Sequence, residues 1–127
     1  MTSFVVDTSV LIDCLGNNRQ AVDALRRVVN DGDVLAASVL TKVEVLAGMR
    51  PAEEQRTRLL FRALRWIGVD GDLAERAGAL ANQFGPSHPG VDPVDYVIAA
   101  TVERLHASLL TRNVKHFPMF PALQSPY

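Results

Sequence analysis

The 127-residue chain has a single cysteine, Cys14, which excludes an internal disulfide framework and any cysteine-rich zinc site. It has no excess of one charge: 13 Lys and Arg face 14 Asp and Glu, for a formal net charge of −1. Wholesale electrostatic attraction to a polyanion is thereby excluded, and any nucleic-acid affinity must come from locally sorted charge. It has no long apolar run either. The longest stretches, such as Val97 to Ala100, fall far short of the roughly 18 residues of a membrane span. The opening Met1-Thr2-Ser3-Phe4-Val5-Val6-Asp7 has neither a basic lead nor an extended apolar core, so no secretory signal is expected. There are no internal repeats and no linker. What is present is 48% apolar and 21% charged residues, enough to bury a core in one domain spanning 1–127, expected to be cytoplasmic.

Periodicity organises the chain into alternating strands and helices. Phe4-Val5-Val6 reads as a buried strand ending on Asp7, with a short helix from Val10 broken at Gly16-Asn17-Asn18. Val22, Leu25 and Val29 have helical spacing within residues 20–30, and Val34 to Ala37 form a second strand. Ser38 is placed to cap a helix running to about Met49, and a basic amphipathic segment extends from Ala52 to Arg65. Trp66 to Val69 reads as a third strand, and Asp72 with Glu75 has the spacing of a capping box. Leu73, Ala77, Leu80, Ala81 and Phe84 then continue a helix that Gly85-Pro86 stops. Asp92 reads as an N-cap, with Pro93 in the first helical position of a segment apolar on most sides, ending near His106. Ser108 to Leu110 is a last short strand before a proline-rich tail. The alternation predicts α/β layers around a mainly parallel sheet.

Surface acids are ordinary, so the informative ones interrupt apolar elements. Asp7 terminates the first strand, Glu44 lies within an apolar helix, and Asp95 sits in the first turn of the most buried helix. Each has a plain structural explanation: Asp7 as a helix cap, Asp95 as an acid favoured by the helix dipole, Glu44 as a solvated side chain. Taken together, beside Thr8, Ser9 and the turn Thr111-Arg112-Asn113, they point to a cleft at the carboxyl ends of the strands. Two carboxylates about 5 Å apart repel by roughly 3 kcal/mol at an effective dielectric near 20, so converging acids must share protons or bind a cation. Oxygen donors without a Cys or His cluster favour Mg²⁺ or Mn²⁺, and such an ion suits phosphodiester hydrolysis.

Four blocks carry a resemblance: Val5-Val6-Asp7-Thr8-Ser9, Thr41-Lys42-Val43-Glu44-Val45-Leu46-Ala47-Gly48, Asp95-Tyr96-Val97-Ile98-Ala99-Ala100-Thr101 and Leu110-Thr111-Arg112-Asn113-Val114-Lys115-His116-Phe117. In this order and spacing the chain resembles the PIN-domain ribonucleases, in particular the VapC toxins of toxin–antitoxin pairs. The resemblance implies a three-layer α/β/α fold, a Mg²⁺- or Mn²⁺-dependent endoribonuclease and a homodimer. It also implies a VapB-type antitoxin whose tail covers the site, and cleavage leaving a 5′-phosphate and a 3′-hydroxyl. Structured RNAs such as transfer RNA are substrates associated with such proteins. By position, Asp7 and Asp95 match direct metal ligands, Glu44 a ligand or a water-positioning base, and Thr8 or Ser9 and Thr111 supporting hydroxyls. Many members have an acid in the last block where this chain has Asn113 and, three residues on, His116. The fourth ligand is then neutral, water-mediated or absent, which leaves one firmly held metal. Asp92 is a secondary ligand candidate.

Arg58, Arg62 and Arg65 fall at i, i+4 and i+7, one helix face carrying three guanidinium groups. That face is either solvated or an RNA, antitoxin or subunit contact. Arg112, beside the last block, is a better-placed phosphate contact, and Lys42 a weaker one. His88, His106 and His116 lack metal-ligand spacing, and Trp66, Phe117 and Phe120 read as packing residues. Two other functions are weighed. A phosphotransfer domain also places an acid after its first strand, but the phosphatase pattern wants Asp two residues after Asp7, where Ser9 stands, and no strand-end Asp with a downstream Lys fits a receiver. A catalytically inactive PIN binding module would not need all of Asp7, Glu44 and Asp95.

Overall fold

The computed structural model describes all 127 residues. Strand β1 (Ser3–Val6) leads into helices α1 (Thr8–Leu15) and α2 (Arg19–Asn30), then β2 (Val34–Ser38) into α3 (Val39–Ala47). A 3-10 turn (Pro51–Glu53) precedes α4 (Glu54–Arg62), β3 (Arg65–Ile67), α5 (Gly71–Phe84), α6 (Pro93–Leu105) and β4 (Ser108–Leu110), and a second 3-10 turn covers Val114–His116. The strands form one sheet in the order β3-β2-β1-β4, and every pairing is parallel. Phe4 lies opposite both Leu35 and Ser108, which fixes the register across the centre of the sheet. The chain builds outward from β1 to β2 and β3, then crosses back through α5 and α6 to lay β4 on the other side of β1. The direction of growth therefore reverses between β1 and β4.

Alternation along the strands sends neighbouring side chains to opposite faces. Val5 and Leu109 pack with Leu73, Leu80, Ile98 and Phe117 under α5 and α6. Val6, Leu35 and Ala37 pack with Leu11, Leu25, Val45 and Phe61 under α1 to α4. Two cores on one sheet make the three-layer α/β/α architecture that the sequence predicts. Helix α6 is the most deeply set: Ile98 and Ala99 are wholly buried, and burying an Ile side chain is worth about 1.5–3 kcal/mol. No helix is long and apolar enough to cross a membrane.

Local signals are confirmed in part. Ser38 caps α3 by accepting from Leu40 N at 3.2 Å, and Asp92 caps α6 ahead of Pro93 by accepting from Val94 N at 2.8 Å. The box predicted at Asp72 and Glu75 does not form. Asp70 is the N-cap of α5 and accepts from Leu73 N at 2.8 Å, with Gly71 as the first helical residue. The third strand begins and ends earlier than the expected Trp66 to Val69, because Arg65 pairs with Ala36 of β2. Arg65 is thereby taken off the helix, and the predicted three-arginine helical face is reduced to Arg58 and Arg62 on α4.

Candidate active site

Asp7 continues the β1–β4 ladder one residue past the strand, its N–H donating to Leu110 O at 2.9 Å. It occupies the N-cap position of α1, yet its side chain caps nothing. Instead Oδ2 accepts from Ser9 Oγ at 2.9 Å and from Thr111 Oγ1 at 2.7 Å. Those hydroxyls are oriented in turn, since Ser9 Oγ accepts from Arg112 N at 3.2 Å and Thr111 Oγ1 from Asn113 N at 2.9 Å. Both donors go to one carboxylate oxygen, which leaves Asp7 Oδ1 without a protein donor. Asp7 is only 3% exposed and has no cationic partner. The capping explanation of Asp7 is therefore ruled out by geometry. Its place, at the strand ends where sheet growth reverses, is where open parallel sheets form their ligand crevices.

Asp95 shares the role of an end-group with Asp92. The two form a reciprocal box, Asp95 Oδ2 accepting from Asp92 N at 3.2 Å. The same oxygen accepts from His116 Nδ1 at 3.1 Å, the carboxylate dictating which ring nitrogen carries the proton. Asp95 Oδ1 is again left without a protein donor. Burial pushes the Asp95 carboxyl above the usual range, and the nearby Asp7 charge pushes it further, while the α6 N-terminus and His116 oppose the shift. Asp7 and Asp95 thus stand near enough to repel, each with one oxygen engaged internally and one free.

Glu44 is set one hydroxyl further out. It is exposed on α3, and its Oε1 accepts from Thr8 Oγ1 at 2.5 Å. Thr8 and Ser9, adjacent on α1, therefore tie Glu44 and Asp7 into one constellation, with Thr111 completing it from the residue after β4. No group of three or more His, Cys, Asp or Glu side chains forms a ready-made metal cage. The side chain of Asp92 is used by the α6 cap, and the Asn113 N–H by Thr111. Lys42 lies over the Trp66 ring at 4.5 Å and is not part of this cluster. His116 lacks metal-ligand spacing in the sequence but stands near the place where many family members carry an acid; its link to Asp95 spans 21 residues and has no local signature.

Comparison with known proteins bears on the family. The family model of the PIN domain matches residues 4–118, which takes in β2, β3, β4 and all of β1 but Ser3. The chain belongs to the PIN-domain family. Among PIN domains it is 44% identical to Ribonuclease VapC19 of Mycobacterium tuberculosis over 97% of its own length and 98% of that protein. Ribonuclease VapC10 of the same organism is 37% identical over 97% and 92%. A toxin–antitoxin complex from Klebsiella pneumoniae superposes with a TM-score of 0.79 at 31% identity, covering 97% of each chain. This PIN domain is accordingly of the VapC kind, a group in which dependence on divalent metal is general. The donor set fits such an ion. Mg²⁺ is usually held by one or two carboxylates and keeps several waters, so two free oxygens suffice where a closed cage would not be expected.

Proposed function

We propose that this PIN domain is the endoribonuclease toxin of a type II toxin–antitoxin pair, hydrolysing RNA phosphodiesters with Mg²⁺ or Mn²⁺. One observation carries the reading: two mutually repelling carboxylates at the β1–β4 reversal each keep an oxygen free, and neither is paired with a Lys or Arg. Asp7 and Asp95 would hold the ion through those oxygens. When bound, it supplies a Lewis acid for a phosphate oxygen and a water acidified toward neutral pH.

The chain's own groups do the rest. Ser9 and Thr111 fix the Asp7 carboxylate from one side, so that its free oxygen is pre-aimed. His116 and the Asp92 N–H do the same for Asp95. Glu44 has Oε1 held by Thr8 and Oε2 free at the exposed mouth, which suits it to take the proton of the attacking water rather than to serve as a third ligand. Cleavage leaves a 5′-phosphate and a 3′-hydroxyl. Arg58 and Arg62, exposed on α4, and Arg65, exposed on the edge strand, lie outside the carboxylate cluster and serve as outlying contacts to the RNA backbone.

A VapB-type antitoxin restrains this activity in the cytoplasm, and the toxin acts as a homodimer. The likeness to a toxin–antitoxin complex supports that partner. An apolar groove of about 350 Å³, lined by Leu15, Val22, Leu25, Val29 and Leu60 with Arg26 and Arg56 among them, offers an amphipathic antitoxin segment a seat.

The test is Asp7→Asn. Metal-dependent cleavage of RNA should fall by at least about 100-fold. Calorimetric titration with Mn²⁺ should lose its binding heat, while the circular dichroism spectrum stays that of the folded chain. Undiminished cleavage removes Asp7 from the site.

A further inference from the structure

Arg112 is joined to the site through its backbone: its N–H orients Ser9, and Ser9 donates to Asp7. Its side chain is held separately. Nη1 donates to Asp13 Oδ2 at 3.3 Å, and the guanidinium carbon lies 4.9 Å from the centroid of the Tyr127 ring. The Tyr127 hydroxyl donates to the same Asp13 oxygen at 2.7 Å, and burial together with this bond holds the phenol well above its ordinary pKa. Asp13 stands one helical turn beyond Ser9, on the same face of α1. Three distant segments (α1, the turn after β4, and the tail) thus converge to fix one cation, one helical turn along α1 from the Ser9 that holds Asp7.

Other arginines in the molecule show what a guanidinium committed to an ion pair looks like. Arg104 binds Asp70 with two bonds at 2.8 and 2.9 Å, and Arg76 binds Glu103 with two at 2.7 and 3.0 Å. Arg112 makes one long contact instead, and its side chain is 45% exposed. Most of its donor fork is left open while its orientation is fixed by an aromatic platform. A planar fork held this way matches two phosphate oxygens and loses little freedom on binding them.

We propose that Arg112 receives the RNA backbone at the mouth of the site, and that Asp13 and Tyr127 are the positioning residues that present it. The inference rests on the ribonuclease reading above and adds the residue that seats the substrate. Fluorescence anisotropy of a short labelled oligouridylate, measured in EDTA across a sodium chloride series, tests it. Arg112→Ala should weaken binding roughly 10-fold and make the slope of log affinity against log salt shallower by about 0.7, the share of one phosphate on a single strand. Arg112→Lys keeps the charge and should restore the slope without the full affinity; it also serves should the alanine variant not fold. Tyr127→Ala, which keeps the charge but removes the platform, should retain the slope and lose about 3-fold in affinity. A wild-type slope in Arg112→Ala, or no metal-free binding by a chain that does cleave, overturns the proposal and leaves the ribonuclease reading standing. Neither binding nor Mn²⁺-dependent cleavage by the unaltered chain defeats both.

Discussion

The acids of the α5–α6 flank and the acids at the β1–β4 edge meet opposite fates. On the flank, Asp70 and Glu103 are each gripped by two guanidinium bonds, and the Arg104 side chain, with the Leu73 N–H, holds the Asp70 carboxyl down at about 2. At the edge, Asp7 and Glu44 have no salt bridge, Asp95 has only His116, and burial drives the Asp95 carboxyl upward. The flank acids, Asp70 exposed and Glu103 half-buried, are satisfied within the chain. The edge acids are fixed by hydroxyls and N–H groups that orient them without neutralising them. A near-neutral chain has therefore sorted its cations so that one set of carboxylates needs a positive charge from outside. That sorting, more than the presence of the acids, is what a cation-dependent hydrolase requires.

The largest effect that sharpens this contrast is expected from Asp95→Asn, and it runs in opposite directions for activity and stability. The folded-state pKa of Asp95 is raised, so the native chain holds its proton more tightly than the unfolded one. Stability then falls as pH rises through the window between the ordinary value near 3.9 and the raised native value. At neutral pH the ionised group is a net cost. The amide keeps an acceptor for the Asp92 N–H and removes the repulsion with Asp7. Cleavage should drop at least about 100-fold, while the melting temperature at pH 7 rises by roughly 3 °C. The stability gap should close as the pH is lowered through that window. A melting temperature below that of the unaltered chain would mean that Asp95 is as well satisfied as Asp70, and the contrast would fail.

A smaller effect comes from hydroxyls rather than acids. Thr57 and Thr101 are wholly buried and donate to Glu53 O and Val97 O, each at 2.8 Å. Thr41 and Tyr96, equally deep, have hydroxyls with no protein partner. Removing a satisfied buried hydroxyl forfeits its bond, whereas removing an unsatisfied one relieves a desolvation penalty. Thr101→Val should thus cost about 1 kcal/mol, and Thr41→Val or Tyr96→Phe should be neutral or stabilise by up to about 1 kcal/mol. Urea midpoints read this directly. Equal losses at Thr41 and Thr101 would show that the Thr41 hydroxyl is satisfied after all.

Much of this was legible from residue order, because the signals are local. Val5 and Val6 before Asp7 announce a strand end; Asp92-Pro93 announces a helix start; an acid inside an apolar run, as at Glu44 and Asp95, announces a group with a purpose. What stayed hidden depends on distance along the chain. Asp72 and Glu75 matched a capping box as well as Asp70 matched a cap. Asp70 has Gly71 beside it and Arg104 across from it, and only the second could not be read locally. Arg65 continued the helical spacing of Arg58 and Arg62, but pairing with Ala36 drew it into the sheet, a tertiary contact overriding a periodic one. The His116–Asp95 bond and the Asp13–Arg112–Tyr127 cluster join residues far apart in sequence, so no spacing rule reveals them.

The smallest expected effect belongs to the flank, where it serves as the control for the edge. Asp70 is lowered by its Arg104 bonds and the Leu73 N–H, so its contribution to stability is fully present above its unfolded value and is lost as pH falls toward about 2. Asp70→Asn retains an acceptor for Leu73 N and gives up the pairing with Arg104. Its acid-unfolding curve should therefore part from that of the unaltered chain above about pH 4 and rejoin it on the approach to pH 2. The side chain is 62% exposed, so solvent screens the pair and the separation should be slight, shrinking further in molar salt. At neutral pH, RNA cleavage should be unchanged, since Asp70 touches nothing in the site. Were Asp70→Asn to raise the melting temperature as Asp95→Asn is expected to, the two sets of acids would differ only in position and not in how the chain has left them charged.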